Sequence, residues 1–118
     1  MRWIVPVAAA LAIAGPTRAA DLKHGKAVFV QCAACHSFDP ASNGLGPNLI
    51  GIVGRKAASV ESYVYSPPMR RSSITWTKPK LDAFLADPQG VVRGTKMPFA
   101  GLAASNDRAD LIAYLATR

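Results

Sequence analysis

Cysteine, histidine and acidic side chains are all scarce in this chain: two, two and seven among 118 residues. Two cysteines cannot staple a disulfide-rich domain. With so few histidines, a four-ligand zinc site lacks donors at a recognised spacing, since His24 comes too early to join the cysteines. The shortage of acid leaves a formal net charge of +7, which points either to an anionic partner (acidic protein, nucleic acid or lipid headgroups) or to charge that only aids solubility. Long apolar runs are missing too. The run from Ile4 to Ala14 has eleven residues and contains Pro6, short of the ~18–20 needed to cross a bilayer. No repeat occurs, and no segment reads as a convincing strand, so the expected class is all-α.

That apolar run follows the basic start Met1-Arg2 and precedes Thr17-Arg18-Ala19-Ala20. The order basic, apolar, small is that of a secretory signal peptide. Thr17 and Ala19 satisfy the small-x-small rule for a cut after Ala19, whereas a cut after Ala20 puts Arg18 at the awkward position. No cysteine lies nearby, which excludes a lipoprotein anchor. The expectation is a cleavable leader over 1–20, a single domain over 21–118 and export to the periplasm. Export points away from nucleic acid as the partner. Without Arg2 and Arg18, twelve basic side chains face seven acidic ones, a net charge of about +5.

Both cysteines fall in Cys32-Ala33-Ala34-Cys35-His36. This is the pattern of a c-type haem attachment site. Two thiols three residues apart can each add to one vinyl group of a single porphyrin, and the histidine that follows is forced under the ring, where it can ligate iron. A disulfide closing so short a loop would gain little stability, and a thioredoxin-like pair needs a βαβ context that is absent. Met97 is the sixth-ligand candidate. It sits in a loop flanked by Gly94 and Pro98, where helix packing is not available to it. Met69 is the rival, and His24 is assigned to the exposed side of the first helix. With His36 and Met97 both bound, the iron has no open position and one-electron transfer remains. A thioether favours ferrous iron and raises the potential.

The remaining chain reads as helices at both ends with loops between. Asp21 caps a helix that runs through Leu22, Val28 and Phe29 to about the first cysteine. From Ser37 to Ser73 the chain is rich in Gly, Pro, Ser and Asn, without helical or strand periodicity. So long an irregular stretch needs a large buried cofactor to pack on. Thr77 begins a second helix, with Pro79 in its first turn and Leu81, Phe84 and Leu85 on one face, and Asp87-Pro88 stops it. A further loop runs from Gln89 to Ala104. Ser105 or Asn106 caps a final helix carrying Leu111, Tyr114 and Leu115. About 98 residues make a small core, so the haem-free chain is expected to fold poorly.

The chain resembles the class I c-type cytochromes, in their short soluble mitochondrial and bacterial form, from Gly25 to the C-terminus. The resemblance is carried by Gly25 and Phe29, the Cys32–His36 motif, Gly46-Pro47-Asn48-Leu49, Gly54-Arg55-Lys56, Tyr63-Val64-Tyr65-Ser66, Trp76, Gly94-Thr95-Lys96-Met97 and Arg108-Ala109-Asp110-Leu111-Ile112-Ala113-Tyr114-Leu115. It implies the class I cytochrome c fold, with terminal helices crossing at Gly25 and loops wrapped around one haem c bonded through Cys32 and Cys35. It also implies that the Pro47 carbonyl accepts the His36 Nδ1 proton. Arg55, Tyr65 and Trp76 would donate to a buried haem propionate, with Ser66 and Thr95 as further donors.

The departures from the family pattern concern tuning and docking. Phe84 stands where a tyrosine commonly reaches the methionine sulfur, and Met69 where an asparagine helps order water. Arg93 replaces a proline and Ser62 a glycine. Lysines that ring the haem edge in mitochondrial relatives give way to Gln89, Gly90, Ala103 and Ala104, while Lys26 and Lys96 remain. A docking face of Ala33, Ala34, Pro98, Phe99 and Leu102 with weak electrostatic steering is therefore expected. The implied function is that of a monomeric electron carrier, not an enzyme. Its expected partners are membrane or periplasmic redox complexes: a cytochrome bc1-type donor, and an oxidase, a reductase or a photosynthetic reaction centre as acceptor. The alternative is a haem enzyme or ligand sensor in which Met97 is labile and peroxide or a small gas binds iron.

Overall fold

The computed structural model describes residues 1–10, 18–42 and 44–118. The expected leader therefore lies partly outside the described residues: most of the end of its apolar run, and Thr17 of its cleavage motif. No helix among the described residues is long and apolar enough to cross a membrane.

Among the described residues five helices form, and no named strand. α1 covers Leu22–Phe29 and starts where Asp21 accepts the His24 N–H, since a side-chain acceptor satisfies one of the orphan donors of a helix start. α3, Lys78–Ala86, starts in the same way at Thr77, which accepts from the Lys80 N–H, with Pro79 in the first turn. α5, Ser105–Leu115, closes the domain. Its apolar face and those of α1 and α3 bury Leu111, Leu115, Leu85, Leu81 and Val28. Each fully buried leucine contributes roughly 1.5–3 kcal/mol relative to exposure.

The structure corrects the expected boundaries in three places. The irregular stretch from Ser37 to Ser73 contains a one-turn helix, α2 (Pro67–Arg71), capped by Ser66. The loop from Gln89 to Ala104 begins inside another, α4 (Pro88–Val91), capped by Asp87. In both cases proline supplies the φ of the first turn and needs no N–H partner there. The third correction concerns α5, which is capped by neither Ser105 nor Asn106. Ala104 holds the N-cap position without a side-chain bond. The chain entering α5 is instead held by Arg108, which donates to the Leu102 and Ala103 carbonyls and to Asp82 on α3.

α1 and α5 cross closely because position 25 carries no side chain. A Cβ there would fall on the Asp110 carbonyl oxygen, with the Tyr114 Cβ 2.9 Å away. Beside the crossing, Phe29 stacks on Phe38 at 4.9 Å and meets Tyr114 at 5.7 Å. His24 is half-exposed, but it does not merely ride the surface: its Nδ1 lies 2.7 Å from Asp110 Oδ2.

Candidate functional site

The residues singled out from the sequence surround one cavity of about 420 Å3, a volume within the range of cofactor sites. All ten line it: Cys32, Cys35, His36, Pro47, Arg55, Tyr65, Ser66, Trp76, Thr95 and Met97.

One wall comes from the turns that continue α1. The Cys32 N–H donates to Phe29 O, and both Cys35 and His36 donate to Cys32 O. Residues three and four apart in such a turn share a face, so both thiols and the imidazole reach the cavity together. The thiols are unpaired, and burial, reinforced by Cys35, pushes the Cys32 thiol up from its ordinary value.

His36 Nδ1 lies 2.8 Å from the Pro47 carbonyl. A carbonyl can only accept, so Nδ1 carries the proton and Nε2 is the nitrogen left with a lone pair. Burial lowers the imidazole pKa, the Pro47 carbonyl partly opposes this, and Arg55 adds to the lowering. The ring is therefore neutral at neutral pH, the state in which it ligates metals. Gly46 makes the approach of this loop feasible, since a Cβ there would stand 2.6 Å from His36 Cε1.

The opposite wall contains Met97. Its loop is fastened through Gln89, whose side chain accepts from the Gly94 N–H at 2.9 Å and donates to the Thr95 carbonyl at 3.1 Å. Thr95 Oγ1 in turn accepts the Met97 N–H at 3.4 Å. In the sequence alone Gln89 stands out only as a missing lysine. Its fastening role depends on the α4 turn, which carries no periodic signal. Met69 also faces the cavity, buried on α2, so the structure brings both methionine candidates to one space.

At the floor, Arg55 donates to the carbonyls of Asn48 (2.9 Å) and Ile50 (3.0 Å). Its Nε is buried with no partner, the only such side-chain atom among the described residues. Burial lowers the pKa of the guanidinium. A buried, unsatisfied cationic donor beside a mainly apolar cavity calls for an anionic oxygen from whatever fills that cavity. Tyr65 accepts from the Val60 N–H at 3.2 Å, which leaves its own hydroxyl proton to donate elsewhere. Trp76 is buried and packs at 4.8 Å on Phe84. Ser66 is engaged as the cap of α2, accepting the Met69 N–H at 3.3 Å. At the mouth, Lys96 Nζ donates to the Val64 carbonyl at 2.7 Å and lies 6.0 Å from the Tyr63 ring. The cavity thus combines a thiol pair, a neutral imidazole, thioethers, apolar walls and one unsatisfied cationic donor, a donor set that suits an amphiphilic metal-porphyrin carrying carboxylates.

Known proteins resemble this chain over most of its length. Residues 22–118 match the family model described as "Cytochrome c". The chain is 45% identical over 117 residues to "Cytochrome c2" of Rhodomicrobium vannielii, covering 98% of this chain and 94% of the relative. It is 48% identical over 87 residues to "Cytochrome c2 iso-2" of Magnetospirillum fulvum, covering 74% and 91%. Among solved structures, cytochrome cH from Methylobacterium extorquens superposes with a TM-score of 0.79 at 41% identity, covering 83% of this chain and 99% of that one.

Proposed function

Because the chain belongs to the cytochrome c family, a family of haem c proteins that transfer electrons, we propose that it is a soluble periplasmic carrier whose haem occupies the cavity between His36 and Met97. The haem would supply a one-electron Fe(II)/Fe(III) couple. Cys32 and Cys35 would hold it by thioether bonds, so that it cannot dissociate with either oxidation state. His36 would offer Nε2 from below, kept in the right tautomer by Pro47, and Met97 its sulfur from above.

The loops from Pro47 to Tyr65 would enclose the propionate side, where Arg55 Nε, the Tyr65 hydroxyl and Trp76 stand ready to donate. Ser66 and Thr95 would contribute mainly through the backbone turns they cap. Two protein ligands leave no place for a substrate, so the chain's work is to bind, orient and exclude water.

The unsatisfied Arg55 Nε is the observation that carries this reading, because it asks for an anion inside a largely apolar space. Residues 1–19 or 1–20 would be removed on export, leaving a monomer that begins at Ala20 or Asp21. Ala33, Ala34, Pro98 and Phe99 would meet membrane redox complexes: a bc1-type donor, and an oxidase, a reductase or a reaction centre as acceptor; Leu102, expected beside them, is instead buried in the core and offers no docking surface.

The test is mass analysis and redox titration of the exported protein. The expected results are one covalently added haem and a reversible one-electron wave, with a far-red ferric band that vanishes in Met97→Ala. A native protein without added haem mass, or a ferric spectrum indifferent to Met97, would overturn the assignment. On-rates to a purified partner complex should fall only shallowly with ionic strength. A steep fall would refute the apolar docking face.

A further inference from the structure

Asp110 is a charged group that electron transfer leaves without a role. It lies on α5, fully covered. Arg18 grips it with two bonds, at 2.8 Å to Oδ1 and 2.7 Å to Oδ2. The Asp21 N–H donates to Oδ1 at 2.9 Å, and His24 Nδ1 lies 2.7 Å from Oδ2. The cover is thin, since the Arg18 and His24 side chains are 45% and 43% exposed. Asp107, 3.6 Å from His24 Nε2, and the Asp21 carboxylate are the other charges close to the cluster. The backbone of Asp110 is also the surface against which Gly25 packs, so this carboxylate sits where α1 and α5 are joined.

Its strongest partner, Arg18, lies on the leader side of the expected cleavage bond, a point that rests on the export reading above. Hydrolysis of the Ala19–Ala20 bond by a signal peptidase breaks the C–N bond. Water supplies the hydroxyl of the Ala19 carboxylate and a proton to the Ala20 amine, which is then largely protonated at neutral pH. The cut removes a guanidinium and creates an ammonium one residue from the Asp21 N–H that already touches Asp110. A covered carboxylate left with one amide and one imidazole is costly, so a nearby cation has reason to take the vacated position.

We propose that cleavage between Arg18 and Asp21 exchanges Arg18 for the new α-ammonium on Asp110, making the processed chain terminus a structural ion-pair partner at the α1–α5 crossing.

Mass analysis of the secreted holoprotein should place its start at Ala20. A start at Asp21 supports the same exchange, and one at or before Arg18 overturns it. Three holoprotein forms are then unfolded in denaturant: the native start, a neutral Gly-Ser-Gly extension, and an extension that restores Arg18-Ala19. The neutral extension should lower the folding equilibrium constant about tenfold, and the Arg18-bearing one should recover it. In an Asp110→Asn background the neutral extension should cost nothing. A harmless neutral extension, or an equal loss in the Asn background, refutes the exchange. Should that background fail to fold, the α-amine of the native protein is titrated by pH-dependent reductive methylation. Protection above the usual α-amino range supports the ion pair, and ordinary reactivity refutes it. A protein that shows this exchange but carries no electrons would sink the carrier reading alone.

Discussion

Replacing Gly46 with alanine would test whether the chain, rather than the iron alone, holds His36 in place. A Cβ at position 46 stands 2.6 Å from His36 Cε1, 2.9 Å from Nδ1 and 3.1 Å from Nε2. Ordinary contact begins near 3.4 Å, so at least 0.8 Å (3.4 less 2.6) must be found. The ring cannot simply turn aside, because Nδ1 is tied to Pro47 at 2.8 Å on one side and the proposed iron bond pins Nε2 on the other. If the loop retreats instead, the Nδ1–carbonyl distance grows to about 3.6 Å, past hydrogen-bonding range. The lost bond costs about 0.5–1.5 kcal/mol and the crowding about 1–3 kcal/mol, together roughly 2–4 kcal/mol. In a domain of this size that lowers the melting temperature by on the order of 10–30 °C. An imidazole without its carbonyl acceptor is a poorer donor, so ferrous iron gains and the potential of this one-electron couple rises by roughly 20–65 mV. Denaturant unfolding and redox titration of the holoprotein measure both effects. A variant with unchanged midpoint and potential would refute the idea that Gly46 and Pro47 together fix the ligand.

Three further outcomes are expected. Met97→Ala should keep the fold, because Gln89 and Thr95 still fasten the loop. It should also bind carbon monoxide at neutral pH and lose more than about 100 mV of potential; absorption and redox titration check this, and an unchanged ferric spectrum would count against Met97. Gly25→Ala gains about 1 kcal/mol of helix propensity. Because the new Cβ meets backbone at the crossing, overpacking toward the upper end of about 1–3 kcal/mol outweighs this gain, and unfolding should show a net loss of up to about 2 kcal/mol. His24 gains its Asp110 bond only in the folded state. That bond, aided by Asp107 and opposed by desolvation, raises its pKa above the ordinary 6.5. Its contribution is complete below pH 6.5 and drains away as pH rises through the folded value. Denaturant midpoints should therefore fall over that range, and fall less in His24→Gln. Equal slopes would argue against it.

Much of this was legible in local sequence. Asp21 and Thr77 announce their helices because a cap and the turn it starts are neighbours in the chain, and the Cys32–His36 motif places three donors within a single turn. α2 and α4 were not legible. Helices of five and four residues have too few turns to show a period, and each depends on one cap, Ser66 or Asp87. Ser105 and Asn106 misled because the start of α5 is organised from a distance by Arg108 and Asp82 rather than by its own first residue. His24 is exposed as expected, but its tie to Asp110 was hidden for a similar reason: that partner is 86 positions away and arrives only when the terminal helices cross. Gln89 shows the same limit at the site, since its role is visible only once its amide is seen bridging Gly94 and Thr95.

The Lys96 strap bears on how this protein would meet a partner. Its ammonium is already committed to the Val64 carbonyl and braces the segment carrying Tyr63 and Tyr65. An incoming carboxylate must compete for that ammonium rather than find it idle, and winning it would unbuckle one side of the cofactor wall. Acidic docking at this corner would therefore loosen Tyr65 and let water into the cavity beside it, which would couple the strength of an encounter to the ease of oxidation.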